Sequence, residues 1–251
     1  MSTKQKILFI FTSADKDVLG QPTGWYLPEA AHPYYVLAPH YDIDFAAPAG
    51  PNPPIDQYSV ETFKDDESVK FLNDDVVKEK LAKAFKLTDL KAEDYAAVFY
   101  PGGHGPVIDL PTDAASIKLS SDFFRAGKPT AAVCHGPAVF VNVLDSNNLP
   151  IFKNRTVAGF SNAEEEQAGK TKNVPWLLED KILEKGGTYV KAKELWAVSA
   201  PSHRSSVDEF LRKFSQMQEK VAVDGNLITG QNPASAKGVG VAILRQLQGT
   251  A

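Results

Sequence analysis

The chain has 251 residues, and 27 Lys and Arg against 31 Asp and Glu leave a formal net charge of −4, which argues against a protein organised around a polyanion. Hydrophobic residues make up 43%, with 17 Gly and 17 Pro, so the composition is that of an ordered globular protein and not of a disordered one. The single cysteine, Cys134, excludes an intrachain disulfide and fits a reducing compartment, so any special role it has is chemical.

In chain order, the first apolar run spans residues 7–11 after Lys4 and Lys6. It is shorter than the roughly 7 to 15 residues of a signal-peptide core and reads as a strand. No stretch approaches the roughly 20 apolar residues of a membrane span, and the C-terminal Gln248-Gly249-Thr250-Ala251 is neither a peroxisomal nor a retention signal. The expectation is a soluble, cytoplasmic protein, with the nucleus as a second location and neither membrane nor nucleic acid as a stable partner.

Apolar runs rich in β-branched and aromatic residues recur at 7–12, 43–47, 96–100 and 130–134. The Pro-rich stretch at 49–54 is a surface loop. A helix is expected from Asp74 as N-cap, with Val77, Leu81 and Ala84/Phe85 on one face. Another is expected from Pro175 to Lys185, with Leu177, Leu178 and Ile182 as its stripe and Gly186-Gly187 as its end. Residues 221–229 read as a hairpin turning at Asp224-Gly225, and a last helix follows Asn232-Pro233 with Ala236, Val239, Ile243 and Leu247. Continuous apolar strands alternating with helices imply a mostly parallel sheet sandwiched by helices, one α/β domain without linker or repeat. Functional groups then gather at the carboxyl edge, after Tyr100 and Val133.

Four segments carry chemistry-bearing residues. Thr130 to Phe140 reads as a strand ending at Cys134, a turn at His135-Gly136 and a helix from Pro137, which places the sulfur at a strand-to-helix corner where amides favour thiolate. A lone cysteine is more commonly a small buried hydrophobe, but a purely structural strand end does not need an imidazole beside its thiol. Tyr100-Pro101-Gly102-Gly103-His104-Gly105 is a glycine-rich loop whose amides can form an oxyanion pocket; it lacks the spacing of a dinucleotide or nucleoside triphosphate motif. Glu29 lies in the apolar segment Gly24 to Pro33, where burial would raise its pKa; Glu29 and His32 also have i, i+3 metal spacing, a weak signal without a third ligand. Gly159-Phe160-Ser161 precedes Glu164-Glu165-Glu166, three acids of which one could orient a histidine, with spacing unable to choose among them.

Together these segments resemble the superfamily of the Parkinsonism-associated deglycase and the PfpI-type proteases, in particular its fungal branch of glutathione-independent glyoxalases (glyoxalase III) and heat-shock chaperones. The resemblance rests on Glu29-Ala30-Ala31-His32-Pro33, Pro101 to Gly105 with Asp109-Leu110-Pro111, Ala132 to Pro137, Gly159-Phe160-Ser161 with its acids, and Asp224 to Ser235. It implies a flavodoxin-like, class I glutamine amidotransferase-like sandwich. It further implies Cys134 as nucleophile, His135 as its partner, Glu29 as the carboxyl at the sulfur, and an acid orienting His135 that falls on Glu165, with Glu164 and Glu166 as neighbours to weigh. Gly102, Gly103 and His104 are the implied substrate and oxyanion group, with the amide of His135 as a second donor. The implied activity converts methylglyoxal or glyoxal and water to the hydroxy acid, with no cofactor and no metal. The alternatives are a stress holdase for unfolded proteins, a deglycase and, more weakly, a peptidase; a homodimer is also implied. The chain departs from the family pattern after Trp196-Ala197, where residues 198–219 are additional. Ser206 to Glu209 form a capping box and Val207, Phe210, Leu211, Phe214 and Met217 a helical stripe, so a helix is expected there.

Overall fold

The computed structural model describes residues 4–192 and 218–250. The strands are β1 (Lys6–Ile10), β2 (Asp42–Ala47), β3 (Phe85–Lys86), β4 (Ala97–Tyr100), β5 (Thr130–Val133), β6 (Thr156–Val157), β7 (Thr188–Tyr189), β8 (Val221–Asp224) and β9 (Leu227–Gly230). The α-helices are α1 (Leu27–Leu37), α2 (Gln57–Thr62), α3 (Asp66–Asn73), α4 (Asp75–Ala82), α5 (Gly105–Ile108), α6 (Ala114–Arg125), α7 (Asn162–Gln167), α8 (Leu178–Glu184) and α9 (Ala236–Gln248). The expected helix over 198–219 lies outside the described residues, apart from its last two positions.

Seven strands form one sheet in the order β3-β2-β1-β4-β5-β9-β8, parallel throughout except for the β8–β9 hairpin. Strands β6 and β7 form a separate parallel pair. The period of two along β1 explains the sandwich: Ile7 and Phe9 enter one core with Phe45, Phe71 and Tyr34, while Leu8 and Ile10 enter the other with Val98, Tyr100 and Phe123. Both faces are buried, so β1, β4 and β5 are apolar in their interiors. The strand order reverses between β1 and β4, which opens a crevice at the carboxyl edge of β1, β4 and β5.

Helices α1 and α9 lie together on one face, and Gly240 permits this because a Cβ there would stand 2.9 Å from the Cα of Pro33. Asp74 caps α4 through bonds from the Val76 and Val77 amides, as its residue type predicts. Three expectations need correction. Phe85 leaves the helical stripe, exposed in β3, because α4 ends at Ala82, with Lys83 as its C-cap, and strand pairing with β2 takes over. Helix α8 begins at Leu178 and not at Pro175, since Val174 turns into the core and residues 174–176 form a bend. The hairpin loop is Gly225-Asn226: Asp224 pairs with Leu227, and Gly225 takes the left-handed conformation at φ 61°. Helix α6, the crossover between β4 and β5, is absent from the sequence reading because Ser116, Ser120 and Ser121 interrupt its buried face.

Candidate active site

Strand β5 stops at Val133 because Cys134 adopts φ 60°, a left-handed conformation uncommon for a residue with a side chain. The corner is held on both sides, with the Cys134 amide donating to Gly230 O at 2.9 Å and Cys134 O accepting from the Phe160 amide at 2.9 Å. Gly136 is required directly after it, since a Cβ there would strike Tyr100 O. The chain then continues as a 3-10 helix, Gly136–Asn142, with Pro137 in its first turn. This is the expected corner, although the following helix is 3-10 and not α. Cys134 is 5% exposed, and what exposure it has opens on a cavity of about 480 Å³ lined also by Tyr26, Asp56, Tyr58, Gly103, His104 and Phe160.

Glu29, in the first turn of α1, is fully buried, and its Oε2 accepts the Gly102 amide at 2.8 Å. Burial pushes its carboxyl up to about 8, against the opposing effect of hydrogen bonds to Cys134 and Gly102. At neutral pH Glu29 therefore holds its proton and can share it with the sulfur. Burial also pushes the Cys134 thiol up, as does the charge of Glu29 whenever that group is ionised; the Gly103 amide, directed at the sulfur, opposes both. The expectation that amides at the corner favour thiolate is thus corrected: burial keeps a proton on the thiol as well as on Glu29 at neutral pH.

An imidazole is adjacent. His135 Nδ1 stands 3.5 Å from Cys134 Sγ, and on the far side of the ring Nε2 donates to Glu165 Oε2 at 2.6 Å. Burial lowers the His135 pKa, with Glu165 pulling the other way. Burial would raise Glu165, but His135 and His104 overcome it and hold the carboxyl well below its usual range. Glu165 is thus ionised beside a neutral His135 whose Nδ1 lone pair faces the thiol. The three consecutive acids separate by helical phase. Glu165 meets the imidazole, Glu166 is exposed, and Glu164 turns into a buried network with Ser161, Gln231 Nε2 and Asn232 Nδ2.

The implied oxyanion residues divide in the same way. The Gly102 amide is occupied by Glu29, so it is not an oxyanion donor; the Gly103 amide is the one that faces the sulfur. His104 lines the cavity, yet its Nε2 donates to Glu165 Oε1 at 2.8 Å and its ring packs on His135 with centroids 4.4 Å apart. The second imidazole on Glu165 was not legible in the sequence, because nothing in the spacing joins positions 104 and 165. Asp56 and Lys170 at the cavity wall had no motif to mark them. Glu29 and His32 do not form a metal pair, since His32 Nε2 bonds Asp65 at 3.0 Å outside the site. Among the described residues, the group whose ligand atoms are close enough to hold a metal is His104, His135 and Glu165, all within 4.8 Å of one another.

Gly102 gives a direct test of this packing. A Cβ at this position would lie 2.5 Å from Glu29 Oε2 and 2.8 Å from Cys134 Cβ. With Val133 O also 2.6 Å away, Gly102→Ala must displace Glu29 or the strand end that carries Cys134, and the expected result is a folded chain whose turnover falls by about 10²-fold or more, the scale of a misplaced proton-transfer group. Wild-type turnover in this variant would show that the Glu29–Cys134 contact is dispensable.

The family model described as the DJ-1/PfpI family matches residues 28–246. Over 242 residues the chain is 30% identical to Glyoxalase 3 of Candida albicans, covering 92% of this chain and 93% of that protein. It is 29% identical over 245 residues to the glutathione-independent glyoxalase HSP31 of Saccharomyces cerevisiae, covering 94% and 95%. Among solved structures, the Rapid Encystment Protein 24 KDa of Francisella tularensis superposes with a TM-score of 0.83 at 33% identity, covering 97% of this chain and 99% of that one. A model match across most of the chain, relatives of equal length and a shared fold lead to one conclusion: the chain belongs to the DJ-1/PfpI family.

Proposed function

We propose that this protein is a glutathione-independent glyoxalase, converting methylglyoxal and water to lactate through a covalent adduct on Cys134. The observation that carries the reading is the unbroken line Glu29, Cys134, His135, Glu165, in which a buried acid and a neutral base flank one sulfur at a cavity. The curated relatives of matching length carry glyoxalase names, which supports the same activity.

Each step uses a group already described. His135 Nδ1 takes the thiol proton, and Glu165 stabilises the resulting imidazolium. The thiolate forms an S–C bond to the aldehyde carbon, and the Gly103 amide faces the oxygen that becomes the hemithioacetal. Glu29 and His135, each in contact with the sulfur, then carry the proton from the former aldehyde carbon to the neighbouring carbon through an enediol, leaving a lactoyl thioester. Water hydrolyses the thioester, releasing lactate and the thiol. The substrate supplies both the oxidised and the reduced carbon, so no external electron carrier enters the balance.

The cavity of about 480 Å³ also accommodates glyoxal and larger 2-oxoaldehydes. The homodimer, the cytoplasmic location and a holdase role rest on the family resemblance, and the comparisons support the chaperone alternative no better than the enzyme. No helix among the described residues is long and apolar enough to cross a membrane. The deciding assay is consumption of methylglyoxal with appearance of lactate and no glutathione present; absence of lactate from a folded wild-type chain would reject the proposal.

A further inference from the structure

Two imidazoles and one carboxylate converge on a single point, and only the proton chemistry of one of them, His135, is used above. His104 Nε2 and His135 Nε2 meet different oxygens of Glu165 at 2.8 and 2.6 Å, and all three ligand atoms lie within 4.8 Å. No Lys or Arg among the described residues pairs with Glu165, so both contacts to this carboxylate come from groups that are also metal ligands. We propose that His104, His135 and Glu165 form a binding site for a divalent transition metal, zinc in particular, whose occupation switches the cysteine chemistry off.

The donor set is two neutral imidazole nitrogens and an ionised carboxylate oxygen, a combination that suits Zn²⁺ and leaves a fourth position open. Around zinc, with bonds of about 2.0 to 2.2 Å, neighbouring ligand atoms stand about 3.3 Å apart, so the widest separation must close by no more than about 1.5 Å while the N–O contacts to Glu165 open slightly. His135 and Glu165 are 2% and 3% exposed and fixed by packing, whereas His104 is 18% exposed and has room to turn. His104 and His135 both line the cavity, which gives the ion an entry path and the fourth position a solvent molecule or anion.

The switch follows from ring tautomers. In the resting site each Nε2 carries the proton it donates to Glu165. Ligation needs that lone pair, so the His135 ring must move its proton to Nδ1. For His135, Nδ1 is the atom 3.5 Å from Cys134 Sγ. The metal-bound ring therefore presents an N–H to the sulfur in place of a base. Cys134 is not a ligand in this geometry, because it lies on the opposite side of the His135 ring from Glu165.

The test is calorimetric titration of the untagged chain with ZnCl2, on wild type, His104→Asn, Glu165→Gln and Cys134→Ala. The expected result is one zinc per chain, affinity reduced more than about tenfold by either ligand variant, and affinity unchanged by Cys134→Ala. Circular dichroism selects the variants that fold, and one folded ligand variant suffices. Lack of binding at micromolar zinc, retention of affinity without a ligand, or loss of affinity in Cys134→Ala would each overturn the proposal, the last by pointing to a thiolate site. Inhibition by zinc and its reversal by a chelator test the switch, and this arm rests on the proposed glyoxalase reaction. Wild-type turnover by zinc-saturated protein would overturn the switch. A chain that binds zinc as described yet makes no lactate leaves the metal site standing and removes only the reaction.

Discussion

Cys134→Ala is expected to lower glutathione-independent methylglyoxal turnover by more than about 10³-fold, to the background of the uncatalysed reaction. In the proposed reaction the sulfur is the atom that forms a bond to the aldehyde and later releases it. Without it Glu29 and His135 have no intermediate to act on. The substitution removes a single atom from a corner held by backbone bonds to Gly230 and Phe160, so the fold and the cavity should persist. The measurement is kcat/KM for methylglyoxal, with lactate quantified and circular dichroism as the control for folding. A variant that retains wild-type turnover would remove the covalent mechanism. Suppression of protein aggregation, measured on the same variant, separates the holdase alternative, because a surface activity has no need of this sulfur.

Glu29→Gln is the second large effect, and its signature is in pH. The buried carboxyl is held protonated up to about 8, so in wild type an ionisation near that value should shape the rate profile. Glutamine fills the same volume but cannot release or take the proton. Turnover should fall by about 10² to 10⁴-fold, the ionisation near 8 should vanish from the profile, and Cys134 should remain open to alkylation. Because the charge of Glu29 raises the thiol of Cys134, the wild-type alkylation profile should itself show a coupled titration that simplifies in the variant.

Stability carries the same mark. The native chain keeps this proton up to about 8, whereas an ordinary carboxyl releases it near 4.5, so the native state binds more protons across that window. The contribution of Glu29 to stability is therefore present at acid pH and is lost as pH rises through 8. Glu29→Gln should flatten the fall in melting temperature between about pH 4.5 and about pH 8. A pH–rate profile identical to wild type would sink the proton-transfer role of Glu29.

Much of the architecture was legible because local rules and tertiary structure agree. The runs that became β1, β2, β4 and β5 were continuous and apolar, as parallel strands covered on both faces must be. Asp74, Gly225 and the residues of α9 obeyed capping, turn and periodicity rules that depend only on near neighbours. Helix α6 was missed where packing overrode pattern: its serines are buried among larger apolar groups and look like loop residues in a sequence window. Phe85 was misplaced because a helical stripe and an edge strand compete at Lys83, and the parallel partner β2 decides between them.

The candidate site divides along the same line. The sequence by itself determined the chemical inventory and the corner: one cysteine followed by His-Gly-Pro after an apolar strand, a glycine-rich loop after a second strand, and an acid inside an apolar helix start. These are properties of residues within a few positions of one another. Only the tertiary structure decided which groups touch. It set Glu165 on His135 and sent Glu164 into the Gln231–Asn232 network, assigned the Gly102 amide to Glu29, and brought His104 to the same carboxylate from a different loop. It also decided the protonation state, since burial raises Glu29 and the thiol together. The reason is physical: proton affinity depends on the dielectric and charges within a few ångströms in space, and three loops joined only at a sheet edge have no such neighbourhood until the sheet is built.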